Sequence, residues 1–104
     1  MPYIRLSLVH PKPGHEEEVQ HLLSELERFA ASWPGYVCGW VLCNADGLGE
    51  LGRLTVWRSE HDADSAAGEL HPMSLRSRLD FLIDEERHQE TAYEALDVAG
   101  KAAV

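Results

Sequence analysis

From Tyr3 to His10 the chain alternates, with Ile4, Leu6 and Leu8 on one side and Tyr3, Arg5, Ser7 and Val9 on the other. That two-residue period predicts a strand. Pro11-Lys12-Pro13-Gly14 stops it, because proline cannot donate to a ladder and glycine permits a turn. The period then changes. Val19, Leu22, Leu23, Leu26, Phe29, Ala30 and Trp33 form one apolar stripe at helical spacing. Glu16, Glu17 and Glu18 precede it, where carboxylates complement the open N–H groups of a helix start, and Pro34-Gly35 ends it. Tyr36 to Asn44 returns to aromatic and β-branched residues and predicts a second strand. A hairpin loop centred on Asp46-Gly47 joins it to a third strand over about Glu50 to Arg58. A polar stretch from Ser59 to Glu69 has short-helix character around Asp62 to Ala67. A longer helix is predicted to begin near Pro72, with Leu75, Leu79, Leu82 and Ile83 as its stripe. Thr91 to Val98 alternates less cleanly and predicts the last strand, and Gly100 to Val104 a frayed tail.

The order β-α-β-β-α-β predicts an α+β, ferredoxin-like domain with helices on one face of a four-stranded antiparallel sheet. The 104 residues suit one domain, with an ordered core over about residues 3–98. The strands carry apolar side chains on both faces, so the face without helices would expose a large apolar patch. A second copy of the sheet related by a two-fold axis is the expected cover, which makes the expected partner the chain itself, as a homodimer. Strand parity leaves open which face meets the helices.

Charge narrows the function. Eighteen acidic residues against nine basic ones give a net charge of -9. Phosphate recognition needs clustered Lys and Arg, so neither nucleic acid nor an anionic membrane is an expected partner. No run approaches the roughly 18 apolar residues of a membrane-spanning helix, and the first residues lack signal-peptide anatomy. A cytoplasmic location is expected. Cys38 and Cys43 fit it: on one strand they lie ~16 Å apart, too far for a disulfide.

Candidate chemistry is sparse. There is no His-Glu-x-x-His, Cys-x-x-Cys, GxGxxG, P-loop or nucleophile elbow, so neither metal nor cofactor is expected. Trp57 can stack on an aromatic ligand or fill the core. His71, near a helix start, can act as a general base or simply cap the helix. Arg53 shares a strand face with Thr55 and Trp57, where a guanidinium needs an anionic ligand, a phenolate or a structural carboxylate. Arg76 and Arg78 flank the second long helix and are expected to pair at the surface.

The order of elements, Pro13-Gly14-His15-Glu16-Glu17-Glu18, Pro34-Gly35, Thr55-Val56-Trp57-Arg58-Ser59, His71 and Tyr93-Glu94-Ala95 resemble the antibiotic biosynthesis monooxygenase superfamily over residues 3–98. The resemblance implies a dimeric α+β barrel with a pocket between each protomer's sheet and helices. It also implies cofactor-independent oxygenation of a small aromatic phenol or quinol. Trp57 matches the strand-three tryptophan of such enzymes, and His71 lies near the histidine of the haem-degrading members, farther from Trp57 than in their pattern. Their functional asparagine has no match, the one Asn being Asn44. The site expected from this reading is Trp57, His71 and Arg53. The alternative is a non-catalytic dimer that binds a small molecule or serves as an accessory subunit.

Overall fold

The computed structural model describes residues 1–98; the predicted tail from Gly100 lies outside them. Four strands, β1 (Tyr3–Val9), β2 (Tyr36–Cys43), β3 (Leu51–Trp57) and β4 (Gln89–Glu94), form one antiparallel sheet in the order β2-β3-β1-β4. Three helices, α1 (Glu16–Ala31), α2 (Glu60–Ala67) and α3 (Leu70–Asp80), accompany it, with a 3-10 turn at Glu85–Arg87. This is the ferredoxin-like plan with one extra short helix.

The helical stripe on α1 is buried as its spacing requires, with Val19 and Leu22 fully inaccessible. It packs with Val9, Leu51, Leu75, Leu79 and Ile83 into the main core. Ala30, Trp57, Ala63 and Ala66 form a second cluster, joined by Tyr3, Trp33 and Tyr36. Between the two clusters the sheet–helix space is lined by both leucines and polar side chains.

Several boundaries differ from the sequence reading. The second long helix ends at Asp80, so Leu82 and Ile83 of its expected stripe lie beyond it, Ile83 in a bridge to Pro11. The 60s helix starts at Glu60, because the Ser59 hydroxyl accepts the Asp62 N–H at 3.1 Å and so caps it. The next starts at Leu70, leaving Pro72 inside its first turn, where a missing N–H costs nothing. β4 is Gln89–Glu94 rather than Thr91–Val98. It is an edge strand with every residue exposed, so no apolar alternation marks it. Its partner β1 begins at Tyr3, opposite Glu94; beyond that pair only the Ala95 N–H bond to the Pro2 carbonyl remains.

Residue parity acquires a direction here. β1 and β3 pair Tyr3 with Trp57, Arg5 with Thr55, Ser7 with Arg53 and Val9 with Leu51. This set faces the helices. Ile4, Leu6 and Leu8, opposite Val56, Leu54 and Gly52, face away. The helices thus cover the more polar side of β1, and the apolar side is left open, with Trp40 and Tyr93 half exposed beside it.

Candidate functional site

A cavity of about 450 Å³ lies between the sheet and α1 and α3. Leu23, Leu26 and Leu79 form its apolar wall. Arg5 and Ser7 from β1, Arg53 from β3, Arg76 and Asp80 from α3, and His88 and Glu90 at the start of β4 supply the polar one. A narrow cleft of about 30 Å³, room for a single water, has Trp57, Phe29 and Pro72 on its walls. Arg5, Arg53 and Arg76 line both spaces, so they stand where cavity and cleft meet.

Each arginine has a different attachment. Arg5 pairs with Asp64 of α2 and lies over the Tyr3 ring. Arg53 has one carboxylate within 4.0 Å among the described residues, Glu27 Oε1 at 3.7 Å. Arg76 donates to the Ala67 carbonyl at 2.8 Å, and among the described residues it has no carboxylate partner. This corrects the expectation that it pairs at the surface. Burial pulls the Arg53 pKa below its ordinary value; Glu27 and Glu90 oppose that pull and the nearby Arg76 cation adds to it. An arginine stays charged regardless.

Behind Arg53 sits a buried carboxylate. Glu27 of α1 is 8% exposed and accepts the Thr55 hydroxyl at 2.7 Å and the Tyr36 hydroxyl at 2.8 Å. Gly39 makes room for it, since a Cβ there would come within 1.8 Å of Glu27 Oε2. Burial, and then the bond to Glu27, push the Tyr36 phenol well above its ordinary value, so it stays a donor. Because both Glu27 oxygens serve these hydroxyls, the guanidinium of Arg53 is balanced in charge while its contact to Glu27 stays long.

Beside Arg53, which lies opposite Ser7 across β1 and β3, three polar groups meet. Ser7 Oγ donates to Glu90 Oε1 at 3.2 Å, and His88 Nε2 lies 3.0 Å from the same oxygen and 3.4 Å from Ser7 Oγ. This is not a Ser-His-acid hydrolase triad, in which serine and acid engage opposite ring nitrogens. Here both engage Nε2. The tautomer that donates Nε2–H to Glu90 is the one that leaves Nδ1 as the acceptor nitrogen.

The three residues expected from sequence separate. Arg53 lines the cavity. Trp57 is 4% exposed, faces the helices, meets Tyr36 edge-on at 5.8 Å and walls the cleft. His71 is exposed on the first turn of α3, against Phe29 at 5.7 Å, and lines neither space. The sequence reading missed His88 and Glu90. The available signal was their i, i+2 spacing, which brings His88, just before β4, and Glu90, within it, to the same side as Ser7. Cys38 and Cys43 are free thiols, and burial, then Glu27, push the Cys38 thiol up.

Among the described residues no group of three or more His, Cys, Asp or Glu could hold a metal ion, and no helix is long and apolar enough to cross a membrane. No family model and no curated protein matches the sequence. Solved structures do match the fold. Rv0793 from Mycobacterium tuberculosis superposes with a TM-score of 0.84 at 23% identity, over 96% of this chain and 100% of that one. A mutant of SnoaB, a cofactor-independent oxygenase from Streptomyces nogalater, gives 0.83 at 15% identity, over 96% and 98%. An antibiotic biosynthesis monooxygenase gives 0.79 at 14% identity, over 93% and 100%. The chain therefore has the fold that antibiotic biosynthesis monooxygenases share.

Proposed function

We propose that the chain is a cofactor-independent monooxygenase that acts on a small aromatic phenol or quinol in the cavity between sheet and helices. The observation that carries this reading is the cavity itself. It has a leucine wall for a ring, the His88 imidazole held by Glu90, and arginines suited to stabilise a phenolate. The fold shared with SnoaB supports it. A phenolate is electron-rich enough to reduce O₂ itself. The ring C–H becomes C=O, the phenol becomes the second quinone carbonyl, and one O₂ yields one product oxygen and one water. All four electrons come from the substrate. In this scheme His88 takes the proton, Arg53 stabilises the anion and the leucines exclude water. Trp57 walls the adjoining cleft against the ring's edge. His71, outside the cavity, has no part in it.

The same reading includes a homodimer. The sheet face that carries Ile4, Leu6, Leu8 and Leu54, flanked by the half-exposed Trp40 and Tyr93, suits burial against a second copy.

Oxygen uptake with a panel of naphthols and quinols tests the activity. Uptake that falls at least tenfold in His88→Gln with the fold intact supports it. Phenol binding without uptake by the wild type would make the protein a binding or accessory dimer instead. Sedimentation of wild type against Leu6→Lys tests the dimer: the wild type should sediment as two copies and the variant as one.

A further inference from the structure

We infer that Thr55 and Tyr36 are positioning residues for the oxyanion site: by occupying both oxygens of Glu27 they keep that carboxylate from closing on Arg53, and so leave the guanidinium N–H groups to the phenolate. The inference deepens the proposed function and rests on that reading's use of Arg53. The three arginines of the cavity differ in one respect. Arg5 is bound to Asp64, and Arg76 donates to the Ala67 carbonyl. The Arg53 guanidinium donates no hydrogen bond to protein among the described residues, although most of the side chain is buried. Its one carboxylate neighbour, Glu27 Oε1, lies 3.7 Å from Nη1, near enough to balance charge and too far to accept a hydrogen bond.

An arginine and a carboxylate packed side by side ordinarily close on each other, since their contact is short and two-pointed. Three neighbours prevent it here. Thr55 stands two residues from Arg53 on the same face of β3, and its buried hydroxyl donates to Oε1, the oxygen nearest Arg53, at 2.7 Å. Tyr36 of β2 donates to Oε2 at 2.8 Å. Gly39, opposite Thr55 on β2, leaves the notch in which Oε2 sits, because a Cβ there would come within 1.8 Å of it. A hydroxyl satisfies an oxygen without cancelling its charge, so Glu27 still offsets the cost of burying a guanidinium. Only the close contact is lost. Arg53 therefore lines the cavity with its donors in a fixed fork and no protein acceptor to release before an oxyanion binds, which is the preorganised state that electrostatic stabilisation requires.

The test uses 4-nitrophenol, whose phenolate absorbs where the phenol does not. At a pH near the midpoint of the free probe, the ratio of phenolate to phenol bound to the wild type should exceed the free ratio by about tenfold or more. Thr55→Val leaves Arg53 as the donor facing Oε1, so the pair should close and the bound ratio should return to within about twofold of the free one. Thr55→Ser, which restores the donor, should recover the wild-type ratio. Tyr36→Phe frees the other oxygen and should lower the ratio too; it carries the test if Thr55→Val fails to fold by circular dichroism. A merely structural role would weaken phenol and phenolate alike and leave the ratio unmoved. A wild type that does not bind the probe or raise its ratio, a ratio indifferent to Thr55→Val and Tyr36→Phe, or a loss that Thr55→Ser does not repair overturns the inference. The readout needs no turnover, so the outcomes separate it from the oxygenase reading. A raised, Thr55-dependent ratio with no oxygen uptake from any phenol keeps the oxyanion site and removes the oxygenase. Uptake with a ratio indifferent to Thr55 does the reverse.

Discussion

Replacing Glu27 by alanine tests how the polar side of the sheet is held under the helices. The carboxylate is 8% exposed and accepts two hydroxyls at 2.7 and 2.8 Å, one from Thr55, itself 1% exposed. Hydrogen bonds to a charged group contribute about 1.5–3 kcal/mol each. Relief from desolvating the carboxylate offsets part of that loss. The variant, however, leaves the Thr55 hydroxyl buried without an acceptor, at about 1–3 kcal/mol, and leaves Arg53 without its counter-charge. Removing one partner of a buried ionic network typically costs about 3–5 kcal/mol, and that is the expected loss. In a chain of this size it corresponds to a fall in Tm of at least about 12 °C. Urea unfolding followed by circular dichroism at fixed protomer concentration measures it, with Thr55→Val completing a double-mutant cycle. A coupling of at least about 1 kcal/mol between the two sites is expected. A loss below about 1 kcal/mol, or strictly additive variants, would refute the view that Glu27 anchors this layer.

Two further outcomes follow from the same network. Gly39→Ala puts a Cβ within 1.8 Å of Glu27 Oε2 and 2.8 Å of the Leu54 carbonyl oxygen, so it should cost about 3 kcal/mol in urea unfolding. The cost should shrink in the Glu27→Ala background without vanishing, because the backbone contact remains; an undiminished cost there would remove Glu27 as its cause. Tyr36 has its folded pKa raised, by burial and by the bond to Glu27, above the ordinary value of 10.0. The folded state then holds the phenolic proton more tightly than the unfolded one. Its contribution is fully present below about pH 10 and declines as pH rises beyond it. Urea midpoints from pH 8 to 11 should fall more steeply for wild type than for Tyr36→Phe, and parallel curves would contradict the assignment.

Local signals were enough to define most elements. The α1 stripe from Val19 to Ala30 could only be one buried helical face, and Asp46-Gly47 between two alternating runs could only be a hairpin. β4 escaped because an edge strand exposed on both faces needs no apolar alternation, and its ends are set by β1. Arg53 and Trp57 were legible because a charge and a large ring on one strand face demand an explanation. Arg76, His88 and Glu90 were not, since each is an ordinary polar residue until three elements bring it to one cavity.

What the sequence determined by itself was that each inner strand has two different faces: Ile4, Leu6 and Leu8 against Tyr3, Arg5, Ser7 and Val9. Which face meets the helices was decided only by the tertiary structure. Period two distinguishes sides without naming them, whereas the direction of each strand and the right-handed path of its helical connection place the helices on one side of the sheet. Here that side is the polar one. The same choice creates a cavity lined by arginines under the helices and leaves an apolar sheet face outside.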